Sequence, residues 1–412
     1  MVLQAKYARD QRWDFVGYLV VRGLILPGCA VCRASADLGS RELSFLLHEH
    51  VNDAEVVVRL IESNGFCRRH CAQARDHVAL NYEDQLKIVL LYDHLVQSLH
   101  RRLGEQPQGV EAVAPRRDCT ICTVERNAEA EIVDWLRDGL AVPELASLYA
   151  ESSGLCLRHL FGIPAREPRL EAPIQAVLDA AGHALREDPS VPGPVGERVA
   201  LFWGGGWDGD QTAGNCYSFC SVCKMAVTSE NRALHVVADG DDVDGVLCRH
   251  HTRTLRTILA GREWPRRIIA TMVERIDTRR QLVRREHPLL RRPLRALIDG
   301  GERPTVRDDG PEECPVCREV GKATVAALSQ ATASDVGENG CLGHIAALGQ
   351  MQPWSQRALN ASLRSRLERL VTRVGEACQF DRLPRAARRS ELADLADRLT
   401  DLFAHSDASD VG

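Results

Sequence analysis

Four times along the chain a Cys-x-x-Cys pair is followed, 23 to 34 residues later, by Cys-x-x-His. Taken in order, the sets are Cys29, Cys32, Cys67 and His70; Cys119, Cys122, Cys156 and His159; Cys220, Cys223, Cys248 and His251; and Cys314, Cys317, Cys341 and His344. Each set offers three thiolates and one imidazole, the donor number and softness of a closed tetrahedral zinc site. Twelve of the 15 cysteines fall into this pattern. A metal held by half-sites so far apart would tie distant segments together, so the pattern constrains the fold more than any other feature.

Insert length sorts the modules. Between the second and third cysteines lie 34 residues in module one, 33 in module two, 24 in module three and 23 in module four. This grouping predicts two tandem halves, joined near the Pro/Gly stretch from Asp188 to Glu197. The expected division is one zinc module each in residues 1–108, 109–195, 196–300 and 301–412.

Within a module the grammar repeats. The first pair opens a segment that reads helical, such as the one beginning at Glu42. Module one adds a helical stripe after Asp53, with Val56, Val57, Leu60 and Ile61 on one face. A glycine (Gly65, Gly154, Gly245, Gly340) precedes each second pair and suits a helix end or a left-handed turn. Helical patterns resume after each His, and no segment alternates with period two for long. The predicted fold is all-α, with four helical modules each tied by its own Cys3His zinc site.

Cys-x-x-His at a helix start places both donors on one face, and the helix N-terminus favours the thiolate. This second half-site resembles the treble-clef class of zinc fingers, although the helical insert departs from the usual hairpin. Four protein ligands leave no open position, which points away from catalysis at the metal. An iron–sulfur cluster is the alternative cofactor. Two ligands have a neighbour that could replace them: Cys71 beside His70, and His250 beside His251. Cys71, Cys216 and Cys378 lie outside the pattern. Cys216 is close enough to Cys220 and Cys223 to exchange with them on oxidation.

Aromatic residues are only 5% of the chain, so the core must be mostly Leu, Val, Ala and Ile. A formal charge of −5 excludes neither protein nor nucleic-acid partners. The first residues show no secretory pattern. The longest apolar run, near Val16 to Leu26, is broken by Gly17, Arg22 and Gly23 and is too short to span a bilayer. A cytoplasmic protein without a membrane partner is expected. Thiols stay reduced there, so paired cysteines favour metal over disulfides.

From Arg249 to Arg295 there are 14 Arg against four acidic residues. Arg266, Arg267, Arg275, Arg279 and Arg284 fall off an apolar stripe, which gives a helix with a basic outer face. The glycines between Trp203 and Trp207 read as a linker, lacking the residues that complete a phosphate loop. No nucleophile elbow, zinc-protease helix or dinucleotide fingerprint is present, and no catalytic residue is assigned.

The pairing of Glu313-CPVC with Gly340-CLGH, and of Asp118-CTIC with Gly154-LCLRH, resembles a bacterial family of repeated Cys-Pro-x-Cys … Gly-x-Cys-x-x-His zinc modules. Only module four carries the internal proline, Pro315. The resemblance implies an architecture and no activity. The expected role is a non-enzymatic zinc-binding scaffold or adaptor with about four zinc ions and a protein partner. A nucleic-acid-associated regulator using residues 249–295, and a thiol/zinc redox sensor, are the alternatives.

Overall fold

The computed structural model describes residues 15–79, 82–105, 113, 117–161, 168–187, 190–204, 220–239, 245–286, 314–378 and 385–403. It is all-α apart from one two-residue antiparallel pair, β1 (Ser190–Val191) with β2 (Trp264–Pro265). Among the described residues no helix is long and apolar enough to cross a membrane.

Before the β1 strand come α1 (Phe15–Ile25), α2 (Ala30–His48), α3 (Ala54–Glu62), α4 (Arg68–Ala79), α5 (Tyr82–Glu105), α6 (Thr120–Gly139), α7 (Pro143–Glu151), α8 (Leu157–Phe161) and α9 (Pro168–Glu187). Between the strands run α10 (Gly193–Gly204), α11 (Ser221–Ala238) and α12 (Arg249–Ile258). After β2 follow α13 (Arg266–Glu286), α14 (Pro315–Gln330), α15 (Ala333–Asn339), α16 (Leu342–Met351), α17 (Gln356–Cys378) and α18 (Arg385–Phe403). The helical stripe after Asp53 forms α3, and the Asp53 carboxylate caps it by accepting from the Glu55 and Val56 amides.

Two helix pairs form the frame. Helix α2 packs along α6, and α11 packs along α14. The first pair is antiparallel, because Gly39 of α2 lies against Glu125 of α6 while the two helix starts are at opposite ends. Gly39 on α2 allows the close approach to Glu125 of α6, and Ala30 packs instead on Gly23 of α1.

The apolar interior forms two clusters, and both helix pairs run between them. One cluster joins α1 from Leu19 to Leu24 and the start of α2 to Ile132 and Leu136 of α6, to α8, α9 and α10, and to Leu234, Trp264, Ile269 and Val316. The other joins Leu43 and Leu47 of α2 to Ile121, α5 and Val222, and then to α16, α17 and α18. The core therefore does not divide at the expected join between two halves. In its described part that join is packed: Val191 is buried, and Gly193 and Gly196 bring α10 against Arg262 and Trp264, where a Cβ would have no room.

Candidate metal centres

All sixteen Cys and His ligands gather into four clusters, but with partners other than those that follow each other in sequence. Site 1 is Cys29, Cys32, Cys156 and His159; site 2 is Cys67, His70, Cys119 and Cys122. Site 3 is Cys220, Cys223, Cys341 and His344; site 4 is Cys248, His251, Cys314 and Cys317. The expectation that each module closes on its own metal is thus corrected. Modules one and two exchange half-sites, and so do modules three and four.

The cause is the helix that follows each first pair. Cys29, Cys119, Cys220 and Cys314 are the N-cap residues of α2, α6, α11 and α14. Helix α2 runs from Ala30 to His48, so at 1.5 Å per residue it carries the chain roughly 24 Å from Cys32 before the turn into α3. Cys67 and His70 are therefore delivered to the far end of the pair. There the antiparallel α6 begins, and its Cys119 and Cys122 supply the missing donors. Helix α11, with 18 residues, separates Cys223 from Cys248 in the same way.

The second half-sites sit where the glycines place them. Asn64, Gly65, Gly154 and Gly245 all have positive φ, as the left-handed turn requires. Gly340 differs: its φ is −74°, and its role is close packing, since a Cβ there would collide with Val336. Cys67, Cys156, Cys248 and Cys341 each immediately precede the first residue of a helix. Every site thus receives two helix N-termini, whose partial positive charge favours thiolates.

The donors stand at single-ion separations. In site 1 the His159 Nδ1 lies 3.4, 3.5 and 3.3 Å from the sulfurs of Cys29, Cys32 and Cys156. In site 2 the His70 Nδ1 lies 3.2, 3.4 and 3.4 Å from Cys67, Cys119 and Cys122. His344 and His251 repeat the arrangement at 3.2 to 3.4 Å. One sulfur–sulfur pair in each site stands at 3.6 to 3.8 Å, too long for a disulfide, all ligand atoms of a site lie within 4.8 Å of one another, and the described cysteines are free thiols. A tetrahedral ion with about 2.3 Å bonds to sulfur and about 2.1 Å to nitrogen gives S···S edges of about 3.8 Å and S···N edges of about 3.6 Å. The four clusters could each hold a metal ion on these distances.

Their electrostatics call for a cation. In site 1 burial pushes the Cys29 thiol well up, while hydrogen bonds from Cys29 and Cys32 hold Cys156 well down. Cys67 is pushed up by burial, and Cys119, despite its burial, is held down by Cys122 and Cys67. Cys223 and Cys248 go up, and Cys341 and Cys314 down, through the same sharing among neighbouring sulfurs. At least one sulfur of each set is thus held down to take charge, Cys32 joining Cys156 in site 1, while at least one other keeps its proton. A bound divalent ion would displace those protons.

Three carboxylates missed in the sequence orient the imidazoles. The Glu129 Oε1 is 3.4 Å from the His159 Nε2, with Arg158 on its other oxygen at 2.9 Å. The Glu125 Oε1 is 3.2 Å from the His70 Nε2, and Arg69 pairs with the same carboxylate. The Glu230 Oε1 is 3.5 Å from the His251 Nε2 and 3.0 Å from the His250 Nε2. Burial opposes these charges, but the imidazoles and guanidiniums outweigh it and hold Glu125 and Glu129 below the usual carboxylate range; His250 and His251 do the same for Glu230. The hydrogen bond between Glu125 and the His70 Nε2 fixes the tautomer that leaves Nδ1 free to ligate, and Glu129 and Glu230 place a negative charge beside the same nitrogen of His159 and His251.

A spacing signal for these residues exists. Glu129 and Glu230 each stand seven residues after the second cysteine of a pair, two helical turns on, and reach across to the site at the other end. In α2 the same position is Gly39. Its missing side chain is replaced by Glu125 from the facing helix, 2.6 Å from where a Cβ would lie.

Both register alternatives resolve. Cys71 turns from site 2, and its thiol contacts the Phe66 carbonyl and the Tyr92 hydroxyl at 3.3 and 3.4 Å. His250 pairs with Glu230, and His251 faces the sulfurs. Trp203 is buried, its Nε1 donating to the Leu247 carbonyl at 2.8 Å; the loop beyond Gly204 lies outside the described residues. So do Cys216 and the side chains of Cys378, Arg279 and Arg284. No protein-family model, curated protein or solved structure matches the chain.

Proposed function

We propose that the chain is a non-enzymatic, zinc-binding scaffold of the reducing cytoplasm. In this reading four structural Cys3His zinc ions hold a helical frame, and the frame's surface engages a protein partner. The observation that carries it is the closure of each cluster, with three sulfurs and one imidazole nitrogen within 4.8 Å of one another, close enough to surround a single ion. An iron–sulfur cluster would have to fit its own irons and sulfides between the ligands, which spreads them further apart. Four protein donors also leave no position for a substrate. For the partner, the reading draws on side chains such as Trp354, 80% exposed, since Trp is enriched where binding energy concentrates.

Metal analysis of purified protein tests the reading. About four zinc ions per chain and no visible absorption band are expected from the ligand count. Brown protein with substantial iron would overturn the metal assignment. One zinc or fewer in protein that stays folded would overturn the structural role.

A further inference from the structure

We propose that site 3 is the exchangeable metal site of the chain, and that sites 1, 2 and 4 keep their ions. The proposal rests on the zinc reading above and extends it. In sites 1, 2 and 4 the residue before the ligating His is Arg158, Arg69 or His250, and each pairs with the same carboxylate that stands 3.2 to 3.5 Å from the imidazole Nε2. In site 3 that residue is Gly343, which is exposed, with nothing within 4 Å of where its Cβ would stand.

The facing helix makes the same substitution. Seven residues after the second cysteine, α6 carries Glu129 and α11 carries Glu230; α14 carries Thr324 there. The Thr324 hydroxyl is spent on its own helix, donating to the Val320 carbonyl at 2.8 Å. Among the described residues no carboxylate pairs with His344. Exposure runs the same way: Cys223 and His344 are half-buried, whereas all four ligands of sites 1 and 2 are buried. Site 4 is also half-open at Cys248 and Cys317 but keeps Glu230 on its imidazole. Loss of such a carboxylate lowers metal affinity by about 10–100-fold. Site 3 combines that loss with a solvent path for a competing chelator or an incoming thiophilic divalent ion.

Zinc release from the full-length protein to a chromophoric chelator, followed by N-ethylmaleimide labelling and peptide mapping, tests this. One zinc in four should leave at least about tenfold faster than the rest, and the first of the twelve ligand cysteines labelled should be Cys220, Cys223 and Cys341. Glu230→Gln should move a second zinc into the fast phase and add Cys248, Cys314 and Cys317 to the early labels. Release of all four ions in one phase, or early labelling in site 1, 2 or 4 of the unaltered protein, would overturn the proposal while leaving the structural zinc reading intact. Folded protein without metal would overturn both.

Discussion

The His159 Nδ1 lies 3.4 Å from the sulfur of Cys29, a residue 130 positions earlier in the chain. Cys67, the cysteine that the repeat would pair with Cys29, instead lies 3.6 Å from the sulfur of Cys122. Zinc counting distinguishes the two pairings. Cys29→Ser and Cys156→Ser should each cost one zinc, and the double variant should still cost only one. Cys29→Ser with Cys67→Ser should cost two. Closure within each module would give the opposite counts for the two doubles.

Removing the metal should collapse the frame rather than fray it. Each ion joins two helix starts, and in zinc-finger peptides such closure is worth roughly 10–16 kcal/mol. Chelation under reducing conditions should abolish amide-exchange protection in α2, α6, α11 and α14 together, and zinc should restore it. Protection that survives in these helices would show that packing alone suffices.

Gly39 is a position where adding a methyl group should do harm. Its Cβ would meet the Glu125 carboxylate at 2.6 Å, and overpacking of this kind costs about 1–3 kcal/mol. Displaced Glu125 would release His70, so Gly39→Ala should also weaken zinc binding at site 2 by about tenfold or more. Gly321→Ala supplies the contrast. Gly321 lies in α14 with open space around it, and the change should stabilise by about 0.5–1 kcal/mol. Thermal melts and zinc competition on both variants check the pair.

Asp394 on α18 accepts from Arg398 at 2.9 Å and from Arg373 of α17 at 3.0 Å. Burial opposes its charge, but the two guanidiniums prevail and hold its carboxyl below the usual range. A depressed folded value means a contribution that is present above the ordinary carboxylate pKa of about 3.9 and is lost as pH falls through the lower folded value. The melting-point difference between the unaltered protein and Asp394→Asn should be flat from about pH 8 to 5 and narrow below about 4. Both partners are partly exposed, so the difference should also shrink in high salt. A difference unchanged by salt would assign the loss to packing.

Ligand identity and helical content were legible in the chain because both are local. Three thiols and an imidazole declare a donor set, and the stripe at Val56 and Leu60 declares a helix. The turn at Asn64 and Gly65 was legible for the same reason. Partner choice was not, because any Cys-x-x-Cys is chemically fit to close with any Cys-x-x-His. What decides it is the length of α2 and the antiparallel packing that sets Gly39 against Glu125, a tertiary relationship. The segment after Cys32 did read as helix, but a rod of that length leaves Cys67 free to double back or to stay at the far end, and only the packing against α6 decides. The stretch around Gly193 read as a linker because Pro and Gly also punctuate loops, although here they admit Trp264 to close contact.

The four ligand sets nest along the chain like brackets. All of site 2 lies between Cys32 and Cys156, and all of site 4 lies between Cys223 and Cys341. A chain leaving the ribosome therefore completes its sets in a fixed order, at Cys122, His159, Cys317 and finally His344. The first and last of these, sites 2 and 3, border the same apolar cluster. That cluster takes side chains from Leu43 on α2 through to Phe403 on α18, so it cannot be sealed until both ends of that long span have been made.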